Sequence, residues 1–165
     1  MITIYLKKFN RELTQEIYDE VISNINTFCL ECPRCKAHYM IKHGYYSRGV
    51  KTKAGKIKLV VLRVKCKKCG STHALLLSCI IPYQSIQLKD QLRIIRNKNV
   101  RQLMNDNAYI NDRNVYYVRK NYRQYFKQML ISKKISINRN PVVNCFKHFC
   151  RNFNQIKCGC HGFYT

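Results

Sequence analysis

Apolar positions change their period several times along the chain, and each change marks an element. Residues 2–6 alternate as a short strand. Residues 14–26 bring Ile17, Val21 and Ile25, with Ile22 beside them, onto one side of a helix for which Thr14 is the cap. Tyr39 to Lys42 and Lys56 to Lys65 read as strands, the second dense in Ile57, Val60, Val61 and Val64, and the turn Lys53-Ala54-Gly55-Lys56 closes them into a hairpin. Thr72 to Leu77 supplies a third strand. Beyond Pro82, residues 85–97 place Leu88, Leu92 and Ile95 on one helical face. Asn99, with Gln102 at the third helical position, caps a short helix through Met104, and Asn105-Asp106-Asn107-Ala108 is a turn. From Asn111 or Asp112 a long helix runs to about Leu130, with Val115, Val118, Tyr122, Tyr125 and Met129 as its inward face. Residues 131–137 alternate as a strand or spacer. Pro141 opens a last helix holding Val142, Phe146, Phe149 and Phe153.

Cysteine spacing adds chemistry to this pattern. Cys32-Pro33-Arg34-Cys35 is answered by Cys66-Lys67-Lys68-Cys69, and the segment between them is long enough to fold back as the hairpin. Two such turns present four thiolates to one tetrahedral ion, so Cys32, Cys35, Cys66 and Cys69 are expected to hold one structural zinc (Zn2+), with iron on the same thiolates as the alternative. The fold class is therefore α+β: a small zinc ribbon, made of a β-hairpin plus a third strand, followed by a mostly helical domain. The boundaries fall at 1–30 for the N-terminal strand and helix, 31–83 for the ribbon, 84–130 for the three-helix unit and 131–165 for a Cys/His-containing extension. In that extension Cys145, His148, Cys150, Cys158, Cys160 and His161 cluster. A second zinc there stays open, but Cys-x-Cys is a poorer turn than Cys-x-x-Cys, and reduced, buried cysteines are the favoured reading. Cys29 and Cys79 read as core.

Charge then narrows the partner. Thirty-one Lys and Arg stand against 8 Asp and Glu, a formal net charge of +23, and four zinc-bound thiolates would change that little. Five of the acids (Glu12, Glu16, Asp19, Glu20 and Glu31) precede the first cysteine pair, so the basic surface lies beyond residue 32. A polyanion is the expected partner. No long uncharged apolar run and no export pattern at residues 1–8 point to a membrane, and ten cysteines without such a pattern point to a reducing, cytoplasmic setting.

The ribbon resembles a known family. Cys32-Pro33-Arg34-Cys35, His43-Gly44-Tyr45-Tyr46-Ser47-Arg48, and the run from Leu62 through Cys66-Lys67-Lys68-Cys69-Gly70 to Leu76 are similar to the zinc ribbon at the front of bacterial insertion-sequence transposases. They are also similar to short bacterial proteins that keep the ribbon and continue into Ile81-Pro82-Tyr83. The resemblance covers residues 32–83, departing at Leu77, where proline is expected, and at Lys36, where glycine often follows the first turn. It implies DNA binding in a mobile-element setting, in a bacterial or phage, nucleoid-associated protein.

The helices after the ribbon have the order of a helix-turn-helix unit, whose last helix would enter the major groove. Arg113, Asn114 and Tyr117 are the candidates for base edges, and Arg119, Lys120, Arg123 and Lys127, with Arg96, Lys98 and Arg101, are candidates for phosphates. Lys51, Lys53 and Lys56, with Arg48 and Lys58, form a basic hairpin tip. A plain three-helix bundle with a basic surface is the bland alternative. Catalysis is not expected. Only Asp90, Asp106 and Asp112 follow the ribbon, all within the three-helix unit, so the large catalytic fold of an acidic-triad transposase is not expected, and the His148-x-x-Arg151 spacing with Tyr164 is too short a likeness to a tyrosine recombinase to carry weight. The sequence thus reads as a sequence-specific binder of double-stranded DNA, a regulator or a recognition subunit working with a transposase or other protein, with homodimerisation open. An RNA-binding zinc ribbon, stacking bases on its 12 Tyr and 7 Phe, is the alternative, beside a protein-interaction or inhibitor module.

Overall fold

The computed structural model describes residues 1–6, 12–97, 99–137 and 141–155, and residues 161–164 in their backbone. It is a mixed α+β chain. The elements are β1 (Ile2–Tyr5), α1 (Gln15–Ser23), β2 (Met40–Thr52), β3 (Gly55–Cys66), β4 (Thr72–Leu77), α2 (Leu88–Arg96), α3 (Val100–Asn105), α4 (Asp112–Asn121), α5 (Lys127–Ser132), α6 (Pro141–Phe149) and β5 (His161–Tyr164). Among the described residues five strands form one sheet in the order β2-β3-β4-β1-β5. The hairpin and β4 are antiparallel, whereas β1 lies parallel to both β4 and β5.

That position explains β1. Lying between two strands, Ile2, Thr3 and Ile4 are all buried, so the strand is covered on both faces rather than on the alternating one expected from residues 2–6. The β3–β4 ladder runs from Lys65↔Thr72 to Arg63↔Ala74. One step further, the Tyr18 hydroxyl of α1 accepts from the Leu62 amide at 3.0 Å and donates to the Leu75 carbonyl at 2.9 Å. The phenol replaces the missing rung where β4 turns from β3 towards β1. Removing a hydroxyl that satisfies a buried amide costs about 1–3 kcal/mol. Thr14 caps α1 as expected, but the inward residues are Tyr18 and Ile22, with Ile25 just beyond the helix.

The strands of the hairpin are longer than the sequence suggests, running to Thr52 and from Gly55 around the tip Lys53-Ala54. A bulge between Lys42 and Tyr45 uses Gly44 at φ 110°. The far half of the hairpin docks on the chain beyond β4. The Lys51 amide donates to the Ser85 carbonyl at 2.8 Å, Gln87 Nε2 donates to the Lys51 carbonyl at 3.0 Å, and the Arg48 guanidinium donates to the carbonyls of Ile81 and Gln84.

The helical part has two apolar clusters, one of Ile86, Ile94, Leu103, Ile110, Val115 and Val118, the other of Ile81, Leu88, Phe126, Leu130, Cys145 and Phe153, and Ile95 of α2 touches both. Between α4 and α5, residues Tyr122–Phe126 form a π-helical turn. This turn corrects the expected inward face. Val115 and Val118 are buried, but the extra residue of an i→i+5 turn advances the stripe by one, so Phe126 and Leu130 are buried and Tyr125 is exposed. Residues 131–137 form a spacer rather than a strand: they finish α5 and turn at Lys133 and Lys134, with Lys134 at φ 54°.

Asp90 on α2 is fully buried. Its Oδ1 accepts from the Tyr109 hydroxyl at 3.1 Å and lies 3.6 Å from Arg93, while Oδ2 has no hydrogen-bond partner among the described residues. Burial pushes its carboxyl pKa above the ordinary 3.8, outweighing the Tyr109 hydrogen bond and the charges of Lys89 and Arg93. A raised folded-state value means that the folded chain holds the proton more tightly. The associated stability is complete below pH 3.8 and is lost as pH rises through the folded value. We expect Asp90→Asn to raise the melting temperature at pH 7, with the gain vanishing below pH 4; an equal shift at both pH values in thermal melts would show that the buried charge is not the cause.

Candidate functional site

Two turns with matching hydrogen bonds bring the four cysteines together. In the first, the Lys36 amide donates to the Cys32 carbonyl and the Cys32 amide to the Ala37 carbonyl, both at 2.9 Å; in the second, Gly70 donates to Cys66 and Cys66 to Ser71, again at 2.9 Å. Each turn closes only if the residue after its second cysteine is left-handed, and Lys36 (φ 61°) and Gly70 (φ 70°) both are. Lys36, the departure noted in the sequence, thus occupies a glycine-like position. Its ammonium pairs with Glu31 at 3.2 Å.

The sulfurs of Cys32, Cys35, Cys66 and Cys69 all lie within 4.8 Å of one another, with Cys32–Cys69 and Cys35–Cys66 at 3.6 Å. A tetrahedral ion with Zn–S bonds of about 2.3 Å requires sulfurs about 3.8 Å apart, so the donor set fits a metal ion such as zinc. The electrostatics also call for a cation. Hydrogen bonds from the Ser71 hydroxyl and amide hold the Cys69 thiol down to about 6. At Cys35 the Ala37 amide lowers the value, but burial and the thiols of Cys69, Cys66 and Cys32 outweigh it and push it up to about 11. Four thiolates this close cannot all ionise without a positive charge among them.

His73 joins this centre without having been singled out from sequence. It is buried, and its Nε2 lies 3.5 Å from Cys32 Sγ. The available signal was the period of two in β4, which puts His73 on the same face as the buried Leu75 and Leu77. Ser71, which also accepts from Arg34 at 3.2 Å, carried no such signal.

The candidate nucleic-acid residues divide into those on the surface and those tied into the fold. Arg113, Tyr117, Lys120, Arg123 and Lys127 are exposed along α4, the π-helical turn and α5, and Tyr116 joins them with Lys120 Nζ 5.7 Å from its ring centre. Arg101 is exposed on α3, and Lys53 and Lys56 at the hairpin tip. Lys56 lies across Gly49, where an added Cβ would come within 2.7 Å of its Cε. Asn114, by contrast, forms a reciprocal capping box with Asn111 and accepts from Lys51 Nζ at 2.8 Å, while the same ammonium donates to the Tyr109 carbonyl at 3.0 Å. Arg119 caps the end of α2, donating to the carbonyls of Asn97 at 2.9 Å and Ile94 at 3.4 Å. Arg96 donates to the Ile137 carbonyl, and Lys98 lies outside the described residues.

The C-terminal cysteines do not assemble among the described residues. Cys145 is buried, which pushes its thiol up to about 12, whereas His148 and Cys150 are exposed. Cys158 and Cys160, and the side chain of His161, lie outside the described residues. Cys79 is buried as expected, but Cys29 is exposed, because it ends a short 3-10 turn whose inward residue is Thr27.

Residues 32–112 match the model of a domain of unknown function, DUF6431. The match begins on the first cysteine of the centre and ends on the first residue of α4, covering both turns, the hairpin, α2 and α3. No curated protein matches the chain, and no solved structure does. No helix among the described residues is long and apolar enough to cross a membrane.

The two turns differ in one testable respect. Lys36→Gly relieves a left-handed side-chain conformation and should hold or raise the melting temperature, while Gly70→Ala should lower stability by about 1 kcal/mol. Denaturant unfolding of the metal-loaded chain measures both, and equal responses would contradict the matched geometry.

Proposed function

We propose that the chain is a zinc-stabilised, sequence-specific DNA-binding protein, related in design to the recognition region of insertion-sequence transposases and acting through binding rather than catalysis. The observation that carries this reading is the outer face of α4 through α5. There Arg113, Tyr116, Tyr117, Lys120, Arg123 and Lys127 are all exposed, and Asp112 at the start of α4 is the acid on that stretch. The fixed hydrogen bonds of Asn111, Asn114 and Arg119 hold this face at both ends of α4. In this reading α2, α3 and α4 are the helix-turn-helix, Arg113 and Tyr117 reach base edges, and Lys120, Arg123 and Lys127 lie along phosphates. Four thiolates in a closed tetrahedral set make the zinc structural, since no position is left for a substrate.

Duplex affinity should fall with salt, with a slope of about 0.9 per phosphate contacted. Changing Arg113, Lys120, Arg123 and Lys127 together to Ala should weaken binding and reduce that slope by about 2.7, which is about 0.9 for each of the three phosphate contacts. Fluorescence anisotropy at several salt concentrations measures this, and an unchanged slope would remove α4 from the interface. Elemental analysis of chain purified without added metal should find about one zinc, and Cys66→Ser should lose it together with the fold of residues 32–80; absorbance of an iron–thiolate centre would contradict the metal assignment.

A further inference from the structure

Tyr83, Tyr116, Tyr117 and Tyr125 line one cleft of about 350 Å3 with Lys120 and Asn121, a size within the range of small-ligand sites, about 300–1,000 Å3. The tyrosines are 63%, 64%, 52% and 51% exposed. Four aromatic rings left open around one cavity are surface that a folded chain ordinarily covers. Asn121 is the opposite case: it is 4% exposed, and its Nδ2 has no hydrogen-bond partner among the described residues. A buried amide donor without an acceptor bears its full desolvation penalty, and Asn121 stands in the wall of this cleft.

Two backbone features aim the rings. Tyr83 sits at φ 61°, a strained conformation for a bulky residue, on a turn fixed from behind. The Arg48 guanidinium holds the carbonyls on both sides of that turn, at Ile81 and Gln84, and the Gln84 side chain is gripped by Gln91 at 2.6 Å and by the Asn154 carbonyl at 2.9 Å. Tyr125 is in the cleft because of the π-helical turn; uninterrupted α-helical spacing from Val118 would have turned it inward. π-Turns are frequent at functional sites. A second groove shares Tyr116 and Lys120 with the cleft and continues past Arg123, so cationic side chains run directly from the aromatic site.

We infer that this cleft receives a nucleobase taken out of its helical stack. The tyrosine faces cover the base, the polar wall at Asn121 lies beside it, and Lys120 and Arg123 hold the flanking phosphates. The inference rests on the nucleic-acid-binding reading above and narrows it: the preferred ligand is a duplex carrying an unpaired base.

The test uses the full, metal-loaded chain and three labelled oligonucleotides: a fully paired duplex, the same duplex with one bulged base, and that bulge made abasic. The bulged duplex should bind more tightly than the paired one, and the abasic bulge should lose the advantage. Tyr83→Ala and Tyr125→Ala should each remove about 5- to 150-fold from binding to the bulged duplex, leave paired-duplex binding unchanged, and leave the melting temperature of the free protein unchanged. Tyr83→Phe should retain the preference. Equal binding to paired, bulged and abasic duplexes overturns the base site while leaving duplex binding intact. Failure to bind any of the three overturns the nucleic-acid reading itself.

Discussion

Four cysteine sulfurs held within 4.8 Å of one another are the constraint on which this structure depends. Thiolates that close repel, and thiols that close contribute little, so the arrangement is favourable when a cation sits among them. The centre supplies what a long hairpin lacks. Met40 and Cys66 are paired, so the two cysteine turns fasten β2 and β3 at the same end, and β4 leaves directly from the second turn. Binding energies of structural zinc in small domains, about 10–16 kcal/mol, exceed the net stability of most folds.

The opposite end of the hairpin is fixed by partly buried cations of the chain itself. Arg48 is largely buried against backbone carbonyls, with desolvation lowering its pKa, and Lys51 bridges the Tyr109 carbonyl to the capping Asn114 of α4. These cations cross-link elements far apart in sequence. On α4, the π-helical turn and α5, by contrast, Arg113, Lys120, Arg123 and Lys127 stay exposed, as do Arg101 on α3 and Lys53 and Lys56 at the hairpin tip. The cysteine turns fasten one end of the hairpin, the other end holds the turn carrying Tyr83 and the start of α4, and Tyr83 and α4 both line the tyrosine cleft.

Local chemistry was legible in the sequence to the extent that it is local. Paired cysteines three residues apart, Asn at the caps of α3 and α4, Thr14 at α1 and Pro141 at α6 each act through neighbours within a few positions, and each lies where the pattern put it. The π-helical turn was not legible, because reading a helix assumes a constant period; one inserted residue exchanges Tyr125 and Phe126 between surface and core. Nor was the fate of Lys51, Asn114 and Arg119, whose types suit a nucleic-acid contact but whose partners lie 63 residues apart for the first pair and 22 for Arg119 and Asn97. Composition reports charge and does not report where the fold uses it. The burial of β1 on both faces depends likewise on β4 and β5, strands that nothing within residues 2–6 announces.

If the metal centre and the basic helix form one mechanical unit, removing the metal must be felt in α4. Hydrogen exchange of the metal-loaded and chelator-treated chain, resolved by segment, measures that directly. The account predicts that stripping the metal removes protection from residues 32–77 and also lowers it in residues 112–121, through the contacts of Lys51 with Tyr109 and Asn114. Full retention of protection in α4 after the cysteine turns have opened would contradict it.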